Sequence, residues 1–539
     1  MIPGIHMKPA RARYINYQFA KYFELVGIVL ILLLAVLLRL ANLESNPGWY
    51  SDEGTVINIA QNLLMGRIQY LAINQSTLLA ARLPLFPILL SGVFRMFGAD
   101  INSLRYVTGS LGVISVGLVY LVVRRVQGKK RLPMALLAAA MLAIYPRAVL
   151  YSRWGFSYNL LTPLILLTCL GLFEYLNGKG SAWLGLAVVS VGIGSVSDLM
   201  ILSLGLPIAI IIIYRQWQDL FWGLPLLGLA FGIYSALMLL NSPDAFIFDL
   251  RFTLSRLGAI PWFAQFPVLA LNIGVLVSQD YWMIPGIIGL FLLKPRRWKY
   301  LCLLLFFFPL ISLGRTAGIA GINYYYIVPL LPFVAIGMAN LIWKGIPLVI
   351  DTVSTGFRII FHRYGWMPAD PRGQWFQSKL VILGNSIALF LIIISPFLIS
   401  AFLTVDQIQR GFHTSIDFAT INGNDARQVA DFINSSATNG DLVIASPALA
   451  WAIRSNVSDF QQAIAAEGIS TAHFPDNIPN DRFAFDPRFD QAKFVAVDPI
   501  WSNWAAFAIP EVALKMTDIE KWPLVYKRGD IEVFRNPAN

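Results

Sequence analysis

The chain has 539 residues, 57% of them hydrophobic and only 13% charged, with a mean hydropathy of +0.63. Soluble domains carry about 25% charged residues, so this composition excludes a soluble enzyme and implies a polytopic α-helical membrane protein. The net charge of +11 is unevenly spread: residues 1–403 hold 30 Lys+Arg against 13 Asp+Glu, and residues 404–539 hold 11 against 17. A basic apolar part (1–403) therefore precedes an acidic, water-soluble part (404–539). The basic residues cluster beside span ends, as membrane topology demands, and no nucleic-acid partner is expected.

Lys8, Arg11, Arg13 and Lys21 precede the first apolar run, and no small-residue cleavage site follows, so a retained span is expected rather than a cleaved signal. Apolar runs then mark eleven candidate spans: 24–41, 103–123, 133–150, 158–176, 182–198, 199–214, 219–240, 280–294, 299–314, 324–343 and 379–403. Segments 182–198 and 199–214 also read as one pair broken around Ser195-Val196-Ser197-Asp198. Cys169 and Cys302 each fall inside a span, which leaves no disulfide framework. Threading eleven spans puts 20 of the 30 basic residues of 1–403, including the N-terminus and the 344–379 loop, on the cytoplasmic side. The other ten are Arg39, Arg67, Arg82, Arg95, Arg105, Arg147, Arg153, Arg251, Arg256 and Arg315, with no lysine among them. A guanidinium fork makes bidentate contacts that an ammonium cannot match, so some of these arginines are candidates to hold an anionic ligand, and the others to pair structurally or to snorkel.

On the far side lie the loop 42–102, the loop 241–280 and the C-terminal region. Trp49-Tyr50-Ser51-Asp52-Glu53-Gly54 places two adjacent carboxylates just beyond the first span, where charge is costly unless it meets water or does chemistry. Glu53 to Gly66 has apolar residues at helical spacing, as an interfacial helix or as a packed loop helix. Ala80 to Pro87 is an extended entry, punctuated by Pro84 and Pro87, to the apolar stretch Ile88–Phe97. Residues 404–539 read as a small α/β domain: a helix over 425–434, strands over 441–445 and 493–497, and a hairpin of 523–526 with 530–534 around Arg528-Gly529. The four histidines show no metal-ligand spacing, and neither a Walker loop nor a Rossmann glycine fingerprint is found.

Four motifs in order, Tyr50-Ser51-Asp52-Glu53, Arg82-Leu83-Pro84-Leu85, Tyr151-Ser152-Arg153 and Tyr325-Tyr326-Ile327-Val328-Pro329, together with a water-soluble C-terminal region, resemble the C-type glycosyltransferase superfamily (GT-C). The likeness is to its family 39-like group of protein mannosyltransferases and lipid A aminoarabinose transferases. The resemblance implies a sugar donor on a polyprenyl phosphate, Asp52 as catalytic base and Glu53 as the neighbour that supports it. It implies Arg82 on the lipid phosphate, although Leu83 stands where the family commonly has a proline. Where many relatives carry a lysine in the fifth span, this chain has Asp198, so no role for a lysine transfers.

Such a transfer needs a base for the attacking hydroxyl, cationic groups on the departing phosphate, and alignment of a lipid donor with an acceptor from the aqueous face. Asp52 meets the first need, and Arg82, Arg153 and Arg315 are candidates for the second, converging with Asp52 on one cavity. Tyr50, Tyr325 and Tyr326 are expected to line it. An inverting displacement needs no enzyme nucleophile. No cofactor is required, and a divalent cation bridging Asp52 or Glu53 to the phosphate is chemically compatible. The expected partners are the polyprenyl-phosphate-linked sugar, an acceptor protein, lipid or glycan, and membrane lipids. The alternative reading is a lipid-linked sugar transporter or flippase, which would place charges deep in broken helices between two similar halves.

Overall fold

The computed structural model describes residues 9–44, 46–75, 83–127, 132–255, 265–316, 323–363, 371–389, 391, 395–410, 419–471 and 473–539. The helical part runs α1 (Pro9–Leu40), α2 (Ser51–Leu64), α3 (Leu85–Phe97), α4 (Ile101–Gln127), α5 (Leu132–Ile144), α6 (Pro146–Arg153), α7 (Tyr158–Leu176) and α8 (Ser181–Ser195). It continues through α9 (Gly205–Gln216), α10 (Leu220–Asn241), α11 (Pro243–Ser255), α12 (Gln265–Gln279), α13 (Met283–Phe291), α14 (Arg296–Thr316), α15 (Leu331–Arg363), α16 (Pro371–Leu389) and α17 (Ser395–Arg410).

Among the described residues five helices are long and apolar enough to cross a membrane: Tyr22–Leu40, Ile101–Gln127, Tyr158–Leu176, the run Leu199–Asn241 and Tyr324–Phe357. The count is seven if each of two bent pairs is one span, α5 with α6 (55°) and α12 with α13 (112°). The eleven apolar runs exceed this count because 199–214 and 219–240 fall in the one run Leu199–Asn241, because the helices Ser181–Ser195 and Ser378–Ala388 are shorter, and because 299–314 is not among the spans counted. The 133–150 run breaks at Tyr145-Pro146, and the 280–294 run is only the nine residues of α13, folded back on α12. The break expected near Asp198 is present: α8 stops at Ser195, and the Asp198 carboxylate accepts from Met200 N (2.8 Å) to start a 3-10 turn.

The bundle is layered by burial. The windows of α7 and α15 are 78% and 83% buried, whereas Tyr22–Leu40 and Leu199–Asn241 are 17% and 11% buried. The outer helices thus present Leu, Ile and Val to what a bilayer supplies, and the inner pair forms the core. Close backbone approach replaces large side chains where α13 crosses α15. A Cβ at Gly289 would lie 1.8 Å from Gly337 O, so only glycine fits.

The C-terminal region is an α/β unit. Its sheet has the order β6-β5-β7-β9-β8, with β5 (Leu442–Ile444) parallel to β6 (Asn456–Ser458) and β7 (Ala492–Val497). The hairpin β8 (Leu524–Arg528) and β9 (Ile531–Arg535) joins antiparallel to β7. Helix α18 (Gly423–Ser436) is capped by the Asn422 side chain, which accepts from Asn424 N and Asp425 N. The strands β5 and β7, the helix and the hairpin match the sequence reading. The three-residue strand β6 has too few residues to show an alternation and was not expected.

This unit is built onto the loop that carries Asp52. Strand β1 (Trp49–Tyr50) pairs antiparallel with β4 (Thr420–Ile421). Because side chains alternate along a strand, Tyr50 packs against the core of the helical part and Trp49 enters the core of the C-terminal unit. The small hairpin β2 (Gln69–Tyr70) and β3 (Ile73–Asn74) is held from the same side: Ala72 N donates to Gln462 Oε1 (3.1 Å), and Ala484 N donates to Ala72 O (2.8 Å). Helix α2 is therefore the packed loop helix of the two readings above, with residues Glu53 to Ala60 almost all buried. It lies directly on α19 (Pro447–Ala450), and a Cβ at Gly54 would meet Pro447 O at 1.7 Å.

Gly54→Ala should accordingly push α2 off α19, at an overpacking cost of about 1–3 kcal/mol or more. The expected outcome is a melting temperature several degrees lower and faster proteolytic release of residues 419–539. An unchanged melting curve would show that this contact yields without cost.

Candidate active site

The site is built from the first turn of α2 outward. Tyr50 is extended (φ −124°, ψ 150°) and precedes the helix, and its N–H donates to Glu53 Oε2 (3.2 Å). Asp52 and Glu53 both sit at the positive end of the helix, where carboxylates are favoured. Their surroundings differ completely. Glu53 is 0% exposed and faces Arg105 of α4, also 0% exposed, in a bidentate pair: Nε to Oε1 at 2.8 Å and Nη2 to Oε2 at 2.7 Å. Gly155 N adds a third contact to Oε1 (2.9 Å). The remaining guanidinium N–H groups bond Leu43 O, Pro47 O and Gly48 O, each at 2.8 Å. All five donors of Arg105 are used. Glu53, with its oxygens taken by Arg105, Gly155 N and Tyr50 N, holds the loop that carries Asp52, in keeping with the supporting place expected for it. Asp52 is half-exposed.

An aromatic wall stands beside Asp52. Phe156 stacks on Tyr325 (4.7 Å between centroids, 14°), and the Tyr158 ring lies near-parallel to Tyr325 at 5.8 Å and 6.5 Å from Phe156. Tyr50 lies 6.4 Å and Tyr326 4.6 Å from the Tyr325 ring, and the Asp52 carboxylate is within electrostatic reach of Tyr325. The three expected cavity tyrosines, Tyr50, Tyr325 and Tyr326, are therefore together with Asp52. Behind the wall, the buried Asp280 between α12 and α13 accepts from the hydroxyls of Tyr145 and Tyr324, and Arg147 lies over the Tyr324 ring at 5.5 Å. Phe156, Tyr158 and Asp280 were missed because single apolar or acidic residues at span ends carry no spacing signal.

The expected phosphate arginines fare differently. Arg153 is fully buried and points away from any ligand role: Nη1 bonds Leu38 O (3.0 Å) and Ala41 O (2.7 Å), and Nη2 bonds Asn42 O (3.1 Å) and Asn46 O (2.8 Å). Its fork satisfies the carbonyls that the end of α1 leaves unpaired, where water is scarce. Arg39 does the same for α5, through Ala143 O (2.8 Å) and Leu142 O (2.9 Å). Arg82 lies outside the described residues, and so does the side chain of Arg315 in the last turn of α14. The buried carboxylates of Glu53 and Asp249 pair with Arg105 (2.7 Å) and Arg482 (3.1 Å).

Residues 81–240 match the family model for dolichyl-phosphate-mannose-protein mannosyltransferase, a stretch that begins beyond Asp52. No curated protein matches the chain. Among solved structures, ArnT from Cupriavidus metallidurans in the apo state aligns over 95% of this chain and 98% of its own, at 13% identity and a TM-score of 0.60. The same protein bound to undecaprenyl phosphate gives 0.56, at 14% identity over 94% and 97%. The fold is that of the C-type glycosyltransferases. The archaeal oligosaccharyltransferase AglB from Archaeoglobus fulgidus, in complex with an inhibitory peptide and a dolichol-phosphate, is similar over 92% of this chain and 72% of its own (14% identity, TM-score 0.51). The GT-C likeness covers both the helical part and the C-terminal unit.

The C-terminal unit buries two more carboxylates, each at the carboxyl end of a parallel strand, and Asp459 reaches the loop after α2. Asp459, after β6, accepts from Gln462 N (3.1 Å) and from Tyr70 OH (3.5 Å), and Tyr70 OH also meets Thr55 Oγ1 of α2 (3.2 Å). Asp498, after β7, accepts from Ile500 N (2.9 Å), Trp501 N (3.2 Å) and the Ser446 hydroxyl. Burial pushes both carboxyls up to about 6, against partial relief from these donors. A carboxyl raised in the folded state opposes folding when ionised, so its contribution is greatest below about pH 4 and declines as pH rises through 6.

Two outcomes are expected. Arg153→Lys should lower the melting temperature, because an ammonium cannot reach four carbonyls, while the folded fraction keeps its donor KM within about twofold. A large KM increase at unchanged stability would return Arg153 to the ligand. Thermal stability of the C-terminal unit, followed in the intact protein, should fall between pH 4 and 6.5 by about 3 kcal/mol per carboxyl. Asp498→Asn should flatten that slope, and an unchanged slope would remove Asp498 as its source.

Proposed function

We propose that the chain is a membrane glycosyltransferase that moves a sugar from a polyprenyl-phosphate donor to an acceptor hydroxyl, with inversion and with Asp52 as the base. The observation that carries this reading is the unequal treatment of two adjacent carboxylates. Glu53 is neutralised by Arg105 and buried, while Asp52 stays half-exposed beside a wall of tyrosines at the junction of the helical part and the water-soluble unit. A base in that position takes the acceptor proton as attack proceeds, and a phosphate leaving group needs little acid help. Undecaprenyl phosphate in ArnT and dolichol-phosphate in AglB support a lipid-phosphate donor on this fold.

For the departing phosphate, the Tyr325 and Tyr326 hydroxyls are proposed as donors, with Arg82 and Arg315 as cations; Arg153 is withdrawn. A divalent cation, if one binds, would have Asp52 as its carboxylate ligand and would offset charge on the leaving phosphate; among the described residues no cluster of three or more His, Cys, Asp or Glu side chains stands ready for it. The acceptor is a protein, lipid or glycan hydroxyl. The 20-to-10 split of basic residues supports a cytoplasmic N-terminus and 344–379 segment, which was expected as a loop but is mostly the end of α15 and the start of α16, with the C-terminal unit and Asp52 on the outer face of the membrane.

Reconstituted protein given a labelled polyprenyl-phosphate sugar and a membrane extract as acceptor should release polyprenyl phosphate and label the acceptor. Movement of the intact lipid across the bilayer without bond cleavage would replace this reading with the flippase. Asp52→Asn should reduce transfer by about 10²–10⁴, the scale for a positioned base, at an unchanged melting temperature. Activity within a few-fold of wild type would remove Asp52 from the mechanism. Single cysteines at Ser435 and Ser378 test the topology, since Cys169 and Cys302 are buried. Only the first should react with an impermeant reagent on intact cells, and labelling of the second would overturn the orientation.

A further inference from the structure

Three interruptions of the helical part meet at one buried carboxylate. Helices α5 and α6 bend by 55° at Tyr145-Pro146, and α12 and α13 bend by 112° at the break that holds Asp280. The third is the 3-10 segment Tyr324–Leu330, which leads into α15. Asp280 is 2% exposed, and both tyrosines are as deeply enclosed. Its Oδ2 accepts from the Tyr145 and Tyr324 hydroxyls, and its Oδ1 accepts from Trp282 N (3.0 Å) at the start of α13. A carboxylate this deep persists only when its oxygens are filled, so its partners fix it and it fixes them.

Tyr324 is held by its ring as well as by its hydroxyl. Arg147 of α6 bonds the carbonyl of Gln279, the residue before Asp280, through Nε (3.1 Å) and Nη2 (2.7 Å). Its guanidinium also lies over the Tyr324 ring, and Tyr151 of the same helix stacks on that ring (5.5 Å, 16°). The next residue, Tyr325, carries the aromatic wall. Consecutive side chains of a 3-10 helix leave its axis about 120° apart. Tyr324 therefore meets Asp280 while Tyr325 meets Phe156 and Tyr50. One peptide separates the anchored ring from the ring beside Asp52.

We propose that Asp280 is a positioning residue for the transfer: acting through Tyr324, it sets where the Tyr325 hydroxyl stands against the departing phosphate. Asp280 is too enclosed to touch a substrate itself. The role rests on the transfer reaction and on the phosphate contact of Tyr325 proposed above. Charge gathers on that phosphate in the transition state, so a hydroxyl held in place beforehand lowers the barrier more than it tightens donor binding. Loss of the anchor should therefore appear in kcat and leave the donor KM nearly unchanged. Tyr145 separates this role from a structural one. Its hydroxyl meets the same Oδ2, yet it belongs to the α5–α6 break and is not continuous with the wall.

The test measures polyprenyl phosphate release by the full-length protein in nanodiscs, per folded molecule, from a labelled polyprenyl-phosphate sugar. Asp280→Ala strands two hydroxyls in a dry site and should lower the melting temperature, so Tyr324→Phe, which keeps the ring, carries the comparison. Both should lower kcat at least about tenfold, the scale for a displaced group, with the donor KM within about threefold. The acid limb of kcat against pH, which Asp52 sets, should stay where wild type has it. The double variant should be no worse than Asp280→Ala alone, because the two residues act as one unit. Tyr145→Phe should lower stability and keep kcat within about threefold. Wild-type kcat in Tyr324→Phe overturns the role, and so does an equal loss in Tyr145→Phe, which would make the cluster structural. A wild type that releases no polyprenyl phosphate removes the transferase reading, and this role with it.

Discussion

The structure depends on the buried pair of Glu53 and Arg105. Two charges removed from water are costly unless each finds complete hydrogen bonding, and here every guanidinium N–H and both carboxylate oxygens are used. The pair joins α4, the start of α2, the carbonyls of the loop between α1 and β1, and the amide of Gly155. Removing one partner would strand the other in a dry site, a loss of about 3–5 kcal/mol. Of two adjacent acidic residues, Glu53 is fully buried against Arg105, and Asp52 is half-buried on the same helical turn.

The same economy explains why arginines, and not lysines, hold the span ends near Asp52. Helix ends leave carbonyls without partners, and at the membrane boundary water cannot be relied on to satisfy them. A planar fork reaches several oxygens at once. Arg39, Arg105 and Arg153 tie the ends of α1 and α5 and the loop before β1 into one rigid collar around Asp52. The collar fixes the loop that carries Asp52, and the tyrosine wall stands beside it. The C-terminal unit completes the enclosure from above, with α19 against Gly54 and β4 along β1.

Much of this was legible in the sequence. Asp52 stood out because acidic residues are scarce beside apolar runs, and α2, α18, β5, β7 and the β8–β9 hairpin followed from periodicity and turn chemistry. The expected grouping of Tyr50, Tyr325 and Tyr326 matches the ring contacts found beside Asp52. The role of Arg153 was not legible, because a bidentate fork suits backbone carbonyls as well as phosphate and only the fold decides which lies in reach. The Glu53–Arg105 pair spans 52 positions with no local signature. Breaks such as that at Tyr145-Pro146 escaped notice because the hydropathy average runs straight through them.

The central claim is that the donor phosphate sits against the tyrosine wall, within reach of a hydroxyl that Asp52 can deprotonate. A structure of the protein with bound polyprenyl phosphate tests it most directly. The account predicts the phosphate within hydrogen-bond distance of Tyr325 or Tyr326, on the Tyr50 side of β1, with Glu53 and Arg105 still paired. A phosphate seated on the Trp49 side, or one that draws Arg105 away from Glu53, would contradict it.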